Sequence, residues 1–108
     1  MLVRFDTPID LLVVKTGKNE NGFKGKIIES RRQILSSRES VRSSEFYAAA
    51  REGYKLSLMF KVHAIEYNGE SFLSYKDIPY EIVRTYEKGI YIELTCQKYD
   101  AEPLMGGK

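Results

Sequence analysis

Few residues of this chain have the chemistry of a catalytic or metal-binding site. A general base, a thiol nucleophile or a zinc ligand set would have to draw on the single histidine, His63, and the single cysteine, Cys96. The carboxylate pairs that could serve acid–base chemistry are Glu66 with Glu70 and Glu29 with Glu39. Such side chains are more often structural or solvated, and no phosphate loop or dinucleotide fingerprint accompanies them. We therefore predict that the protein is not an enzyme and uses no cofactor or metal.

A second group of side chains has the chemistry to bind an acidic partner. Six basic residues gather between positions 31 and 55, with fewer acids among them: Arg31, Arg32, Arg38, Arg42, Arg51 and Lys55. They fit a solvated polar face and equally a surface that meets DNA or an acidic subunit. The net charge of +2, from 17 basic and 15 acidic residues, is too small to drive nucleic-acid or membrane binding by itself. Both interpretations stay open at this point.

Length and composition place these residues in one small domain. The 108 residues suffice for a single core, and eight tyrosines and five phenylalanines favour strands. One cysteine cannot form an intramolecular disulfide, which fits a reducing compartment. Residues 1–8 lack a long apolar run, and no segment approaches the roughly 18 apolar residues of a membrane helix. We expect a soluble protein without a signal peptide, intracellular where it is made.

Alternating and apolar segments predict five or six antiparallel strands joined in hairpins. The first two cover residues 9–15 and 26–40, with a tight turn at Asn21-Gly22 between them. The second is so polar in its middle that we expect part of it to leave the sheet. Tyr-Asn-Gly-Glu at residues 67–70 is the strongest turn signal further along. The later strands are predicted at residues 55–64, 71–75, 78–86 and 90–97, the last with Ile90, Ile92, Leu94 and Cys96 on its apolar face.

One helix is predicted, over residues 43–53. The Ser44 hydroxyl can cap its first turn, and Gly53 can take the left-handed conformation that ends it. Its predicted apolar face consists of Phe46, Ala49 and Ala50. At about two and a half turns the helix is too short to be stable alone, so the sheet must hold it.

These elements define the expected fold class and domain organisation. The class is mainly β: a small antiparallel β-barrel or sandwich of five to six strands, with one short helix inserted after the second strand. We predict a single domain over residues 1–99. Residues 100–108 show no periodicity and contain Pro103 and two glycines, so we predict a flexible C-terminal tail.

Four short motifs stand in order between about residue 41 and residue 96. They are Ser-Glu-Phe-Tyr-Ala-Ala-Ala at 44–50, Tyr-Asn-Gly-Glu at 67–70, Tyr-Glu-Ile-Val-Arg-Thr-Tyr at 80–86 and Ile-Glu-Leu-Thr-Cys at 92–96. In this order and spacing, the chain resembles the phage head closure or head–tail joining protein family. The segment over residues 26–42 departs from the family pattern because it is more basic, which puts the placement of that strand in doubt.

The resemblance implies a structural virion protein of a tailed phage or prophage. Such proteins are small barrels that form a homo-oligomeric ring at the portal vertex, close the DNA-filled head and join it to the tail. The implied partners are further copies, portal or adaptor ring proteins, tail proteins and packaged DNA near the channel, with no membrane. The implied location is the head–tail junction of the virion, reached from the bacterial cytoplasm during assembly.

Residues 36–55 are the part of the chain that we expect to face the channel or a neighbouring subunit. The candidate residues, with the two arginines that precede this segment, are Arg31, Arg32, Arg38, Arg42, Glu45, Tyr47, Arg51 and Lys55. Two alternatives remain. One is a nucleic-acid-binding barrel of the SH3 or OB kind that stacks bases on Tyr75, Tyr80 and Tyr91. The other is a tail terminator or a neighbouring connector-ring protein.

Overall fold

The computed structural model of the chain describes residues 4–18, 24–99 and 104–106. In chain order the elements are β1 (Thr7–Lys18), β2 (Lys24–Glu39), α1 (Ser43–Arg51), β3 (Leu56–His63), a 3-10 turn (Ala64–Glu66), β4 (Phe72–Tyr75), β5 (Ile78–Lys88), β6 (Tyr91–Lys98) and β7 (Leu104–Gly106). The predicted class, mainly β with one helix after the second strand, is confirmed. Neither described helical segment is long and apolar enough to cross a membrane.

Six of the strands close into a ring. Their order is β1-β4-β5-β6-β3-β2, and β2 pairs back with β1. Every pairing around this ring is antiparallel. Of the two predicted architectures, the strands therefore form the barrel. The barrel is weakest at two seams, because β1 pairs with β4 only at residues 10–12 and β2 with β3 only at residues 37–39.

The barrel interior is filled by side chains that alternate along its strands. On β6, Ile92, Leu94 and Cys96 point inward as predicted, and each is less than 9% exposed. Ile90 was predicted on the same face, which is wrong: it lies in the β5–β6 turn and is 67% exposed, because β6 begins at Tyr91. The buried core cluster consists of Ile9, Leu11, Ile34, Phe60, Val62, Leu73, Tyr80, Ile92, Leu94 and Cys96.

Two strands extend past the barrel and form what we call the arm. It comprises residues 13–18 of β1, residues 24–30 of β2, and β7, which runs parallel to β2. A second cluster of Leu12, Ile28 and Phe72 packs at its base. The expectation that the polar middle of β2 leaves the sheet is wrong. β2 stays in the sheet throughout: residues 24–36 pair with β1, with one bulge at the level of Val13 and Val14, and residues 37–39 pair with β3. The backbone ladder forms regardless of side-chain polarity.

The connections differ from the predicted turns in one place. Residues 67–70 do not form a hairpin, because β3 and β4 are not neighbours in the sheet and this segment joins non-adjacent strands. Gly69 does take a positive φ of 85° there. A tight turn at Lys76-Asp77 links β4 to β5, with both residues left-handed at φ 52° and 63°. Asn21-Gly22 lies outside the described residues, although Lys18 and Lys24 on either side are paired.

The segment predicted as a flexible tail is described only in part. Leu104–Gly106 forms β7 against residues 26–28 of β2, while residues 100–103 and 107–108 lie outside the described residues. The division of the chain at residue 99 and the flexibility of the tail stay predictions.

Candidate interaction surface around the helix

Helix α1 begins and ends by different means. The predicted Ser44 cap is wrong: the cap position falls on Arg42, and no side chain bonds the free amides of the first turn. The predicted glycine stop is confirmed. Gly53 has a φ of 93°, and the following amide of Tyr54 donates to the carbonyl oxygen of Ala49 at 3.0 Å. This is the Schellman arrangement, which only a residue without a side-chain penalty at positive φ readily completes.

The helix face that packs on the barrel is not the predicted one. Ala49 is fully buried, but Phe46 is 42% exposed and Ala50 is exposed. The inward face instead follows Glu45, Ala48 and Ala49, at i, i+3 and i+4: Ala49 is buried and the other two are half-buried. α1 contacts the outer wall of β3, away from the apolar interior. Phe46 lines a surface groove together with Leu56 and Leu58 of β3.

Ion pairs fasten both ends of α1 to the wall. At the N-terminal end, Nη2 of Arg42 donates to both carboxylate oxygens of Glu93 on β6, each at 3.1 Å. The Glu93 side chain is only 7% exposed, and its hydrogen bond and negative charge raise the pKa of the Arg42 guanidinium. At the other end, Nη2 of Arg84 on β5 lies 3.4 Å from Oε1 of Glu52. The helix is therefore held across β6 and β5.

Two of the predicted basic residues belong to another part of the molecule. Arg31 pairs with Asp10 at 3.6 Å on the neighbouring strand. Arg32 donates to Oε2 of Glu70 at 3.0 Å and to the carbonyl oxygen of Glu66 at 2.6 Å, which ties β2 to the segment that joins β3 to β4. The Glu70 side chain is 5% exposed. Both arginines are thus committed within the chain and do not join the helix.

Four predicted residues remain on the outside, and we call them the helix surface: Arg38, Tyr47, Arg51 and Lys55. Within the described part of the chain, no carboxylate lies within ion-pair distance of the three basic side chains. Tyr47 is 64% exposed, and at i and i+4 it shares one helix face with Arg51. Glu45, the remaining candidate, bonds Arg42 at 3.2 Å instead of facing outward.

Comparison with known proteins identifies no relative of this chain. No family model, curated protein or solved structure matches the chain. Function is therefore inferred from the residues and their contacts.

The residues with catalytic chemistry each have a structural partner and do not converge. Cys96 is fully buried, and burial raises the pKa of its thiol to about 12, so the thiolate is not available. His63 stacks on Phe5 with ring centroids 4.3 Å apart and lies 3.8 Å from Glu66. Glu29 pairs with Lys15, and Glu39 with Lys61. Among the described residues, no three potential ligands are placed to hold a metal ion.

Sequence reasoning missed the acids that organise this region. Glu93 and Arg42 are 51 positions apart, and Glu52 and Arg84 are 32 apart. Glu93 sits between inward-facing Ile92 and Leu94, where alternation assigns it to solvent. No local pattern connects such distant residues, so only the closure of the barrel under the helix could reveal them.

Proposed function

We propose that the protein is a structural virion protein of a tailed phage or prophage that forms a ring at the portal vertex, closes the DNA-filled head and joins it to the tail. The observation that carries the proposal is the helix surface. A small closed barrel holds a helix on its outer wall, and that helix presents the exposed Tyr47 beside Arg51, which has no ion-pair partner in the described chain. The order of the four motifs supports the same assignment.

Unpaired charges and exposed apolar groups favour contact with further copies. The basic residues of the helix surface can pair with an acidic neighbour or with DNA phosphates. Elsewhere on the barrel, Leu35 and Ile65 line one groove and are 52% and 91% exposed. The helix surface and this apolar groove differ from each other. A barrel with two such surfaces suits a heterologous contact, in which one surface of a subunit meets the other surface of its neighbour and the contacts close into a ring. The further partners in this proposal are portal or adaptor proteins, tail proteins and packaged DNA.

Several contacts favour this role over nucleic-acid recognition by stacking. Tyr80 is 9% exposed, and the ring of Tyr75 packs 5.2 Å from that of Phe60. Tyr91 stacks on Phe5. The three tyrosines that a base-stacking barrel would present are therefore engaged within the fold. The non-enzymatic role is also part of the proposal, supported by the buried Cys96 thiol and the dispersed acids.

Complementation in the phage or prophage that encodes the chain tests the proposal. We expect deletion of the gene to give heads that lose DNA and tails that remain unattached, counted by electron microscopy. The variant Tyr47→Ala/Arg51→Glu should reproduce this defect, although the purified protein melts as the parent does. The matched control Tyr86→Ala/Lys88→Glu removes an exposed tyrosine and an exposed base from β5 and should complement normally.

The outcomes distinguish a failure of the connector role from a failure of the helix-surface assignment. Normal virions from the gene deletion would overturn the connector role. Defective virions from the deletion but normal ones from Tyr47→Ala/Arg51→Glu would overturn the assignment of the helix surface alone.

A further inference from the structure

One edge of the arm has no strand beside it among the described residues. β4 pairs with β1 only as far as Leu12, and beyond that point β1 is bonded to β2 on one side alone. No described strand lies along the other side of residues 13–18. A strand alternates the direction of its backbone groups, so this edge presents free N–H and C=O groups over about 20 Å. In a barrel that otherwise closes its edges, such a segment is a site for strand addition.

The opposite edge of the arm already carries an added strand. Leu104–Gly106 pairs in parallel with residues 26–28 of β2. β7 is three residues long and packs on no other described element to a comparable extent. A short extended segment is therefore held by the arm almost entirely through its edge. The arm has the geometry of a platform that accepts strands, with one edge occupied and one open.

The charge of the arm determines which kind of strand can pair with its open edge. Residues 13–18 and 24–30 contain four lysines and one glutamate. The glutamate, Glu29, pairs with Lys15 at 3.3 Å, and the two segments together carry three more positive than negative charges. A second copy of β1 laid along this edge would bring lysines against lysines, which is unfavourable and is how edge strands avoid self-association. An acidic strand meets no such penalty.

We propose that the open β1 edge of the arm binds an extended, acidic segment of another protein as an added β-strand. Backbone hydrogen bonds along residues 13–18 hold the segment, and the lysines of the arm select for carboxylates at alternate positions. Val13 is 38% exposed on this edge and offers apolar contact. The proposal goes beyond the connector role and does not depend on it, because it concerns a different surface of the molecule.

A peptide titration tests the proposal. The probe is a fluorescein-labelled peptide of sequence Thr-Glu-Val-Glu-Thr-Glu-Val, and binding to the full chain is followed by fluorescence anisotropy. We expect saturable binding that weakens with salt, and hydrogen exchange that slows at the amides of residues 13–18 when the peptide is present. The same peptide with N-methyl groups on alternate amides should not bind, since it cannot complete a ladder.

Paired variants locate the site. Lys18→Gln/Lys26→Gln, at positions that share one face of the arm in the strand register, should weaken binding of the peptide at least tenfold, whereas Lys55→Gln/Lys98→Gln removes the same charge elsewhere and should leave it unchanged. Failure of the unmodified peptide to bind, equal binding of the N-methylated peptide, or equal loss in both variants would each overturn the proposal. Dimers of the free chain with protected residues 13–18 would overturn it in favour of self-pairing. Displacement of the peptide by single-stranded DNA with the same slowed exchange would show a nucleic-acid surface instead.

Discussion

Arg42 and Glu93 show how a residue predicted to face a partner can serve the fold instead. The carboxylate is almost fully buried on the outer wall, and it accepts two hydrogen bonds from one guanidinium nitrogen. A buried carboxylate without such a donor would be costly, so the arginine stabilises both the helix and the site beneath it. Among the described residues, Arg38, Arg51 and Lys55 have no such acid, and they are candidates for contact with another molecule.

Replacement of Arg42 tests this division of roles. Arg42→Ala leaves Glu93 buried without its donor, and we expect the free energy of unfolding to fall by about 1–2 kcal/mol. The expected loss of stability is modest because the Arg42 side chain is 54% exposed and solvent partly screens its charge. Urea denaturation measures the change.

A matched arginine and a double variant complete the experiment. Arg51→Ala, on the outward face of the same helix, should change the stability by less than about 0.5 kcal/mol. Arg42→Ala/Glu93→Gln should cost less than the sum of the two single changes, since the buried charge is removed together with its partner. Equal effects of Arg42→Ala and Arg51→Ala would contradict the structural role of Arg42.

Among the elements, the arm and β7 are the least integrated into the barrel. The arm lies beyond Leu12 of β1 and before Arg31 of β2, and a small cluster of Leu12, Ile28 and Phe72, with Val14 and Tyr99 packed against it, lies at its base. β7 adds three residue pairs to the β2 edge. Elements with so few buried apolar contacts open locally without unfolding the rest of a domain.

Truncation after Tyr99 tests the independence of these elements. The change removes β7, and we expect amides of residues 26–28 to exchange faster because their strand loses its neighbour. The melting temperature should stay within about 2 °C, since the ring of six strands is intact. If the tail also docks on an adjacent ring, the truncated protein should assemble less efficiently while it melts normally. A large fall in melting temperature would show that β7 supports the barrel itself.

At the scale of the whole molecule, closure of the ring controls access to the interior. β6 is paired on both sides, by β3 and by β5, so Cys96 cannot be reached by fraying of an edge. Burial raises the pKa of its thiol to about 12. In the unfolded chain the thiol ionises near its ordinary pKa, so above about pH 8.5 the unfolded state releases a proton that the folded state keeps. The contribution of Cys96 to stability is therefore present below that pH and is lost as the pH rises towards 12.

Thiol labelling measures this protection. At pH 8 we expect Cys96 in the native protein to react with a disulfide reagent at least about 100-fold more slowly than in guanidinium, because a stability of about 5 kcal/mol leaves very few chains open. As a control, Cys96→Ala/Ser57→Cys places a thiol at an exposed position of β3 and should react quickly. Fast labelling of native Cys96 would contradict a closed barrel.

Local patterns in the sequence determined a substantial part of this molecule. Alternation along Phe60 and Val62, and along Ile92, Leu94 and Cys96, identified the inward faces, since a strand has a fixed period of two. Gly53 ended the helix and Lys76-Asp77 turned a hairpin for conformational reasons confined to a few residues. The fold class followed from such features, because each depends on neighbours within a few positions.

The tertiary structure decided which elements meet. The order β1-β4-β5-β6-β3-β2 turned residues 67–70 from a hairpin into a link between non-adjacent strands, and it placed Glu93 under Arg42. It also divided one run of basic residues between the base of the arm, the ion pairs of the helix and a free outer surface. The ion pairs of Arg32, Arg42 and Arg84 join residues 32 to 51 positions apart. They depend on how the whole sheet closes into a ring. Patterns within a few residues of sequence do not predict that closure.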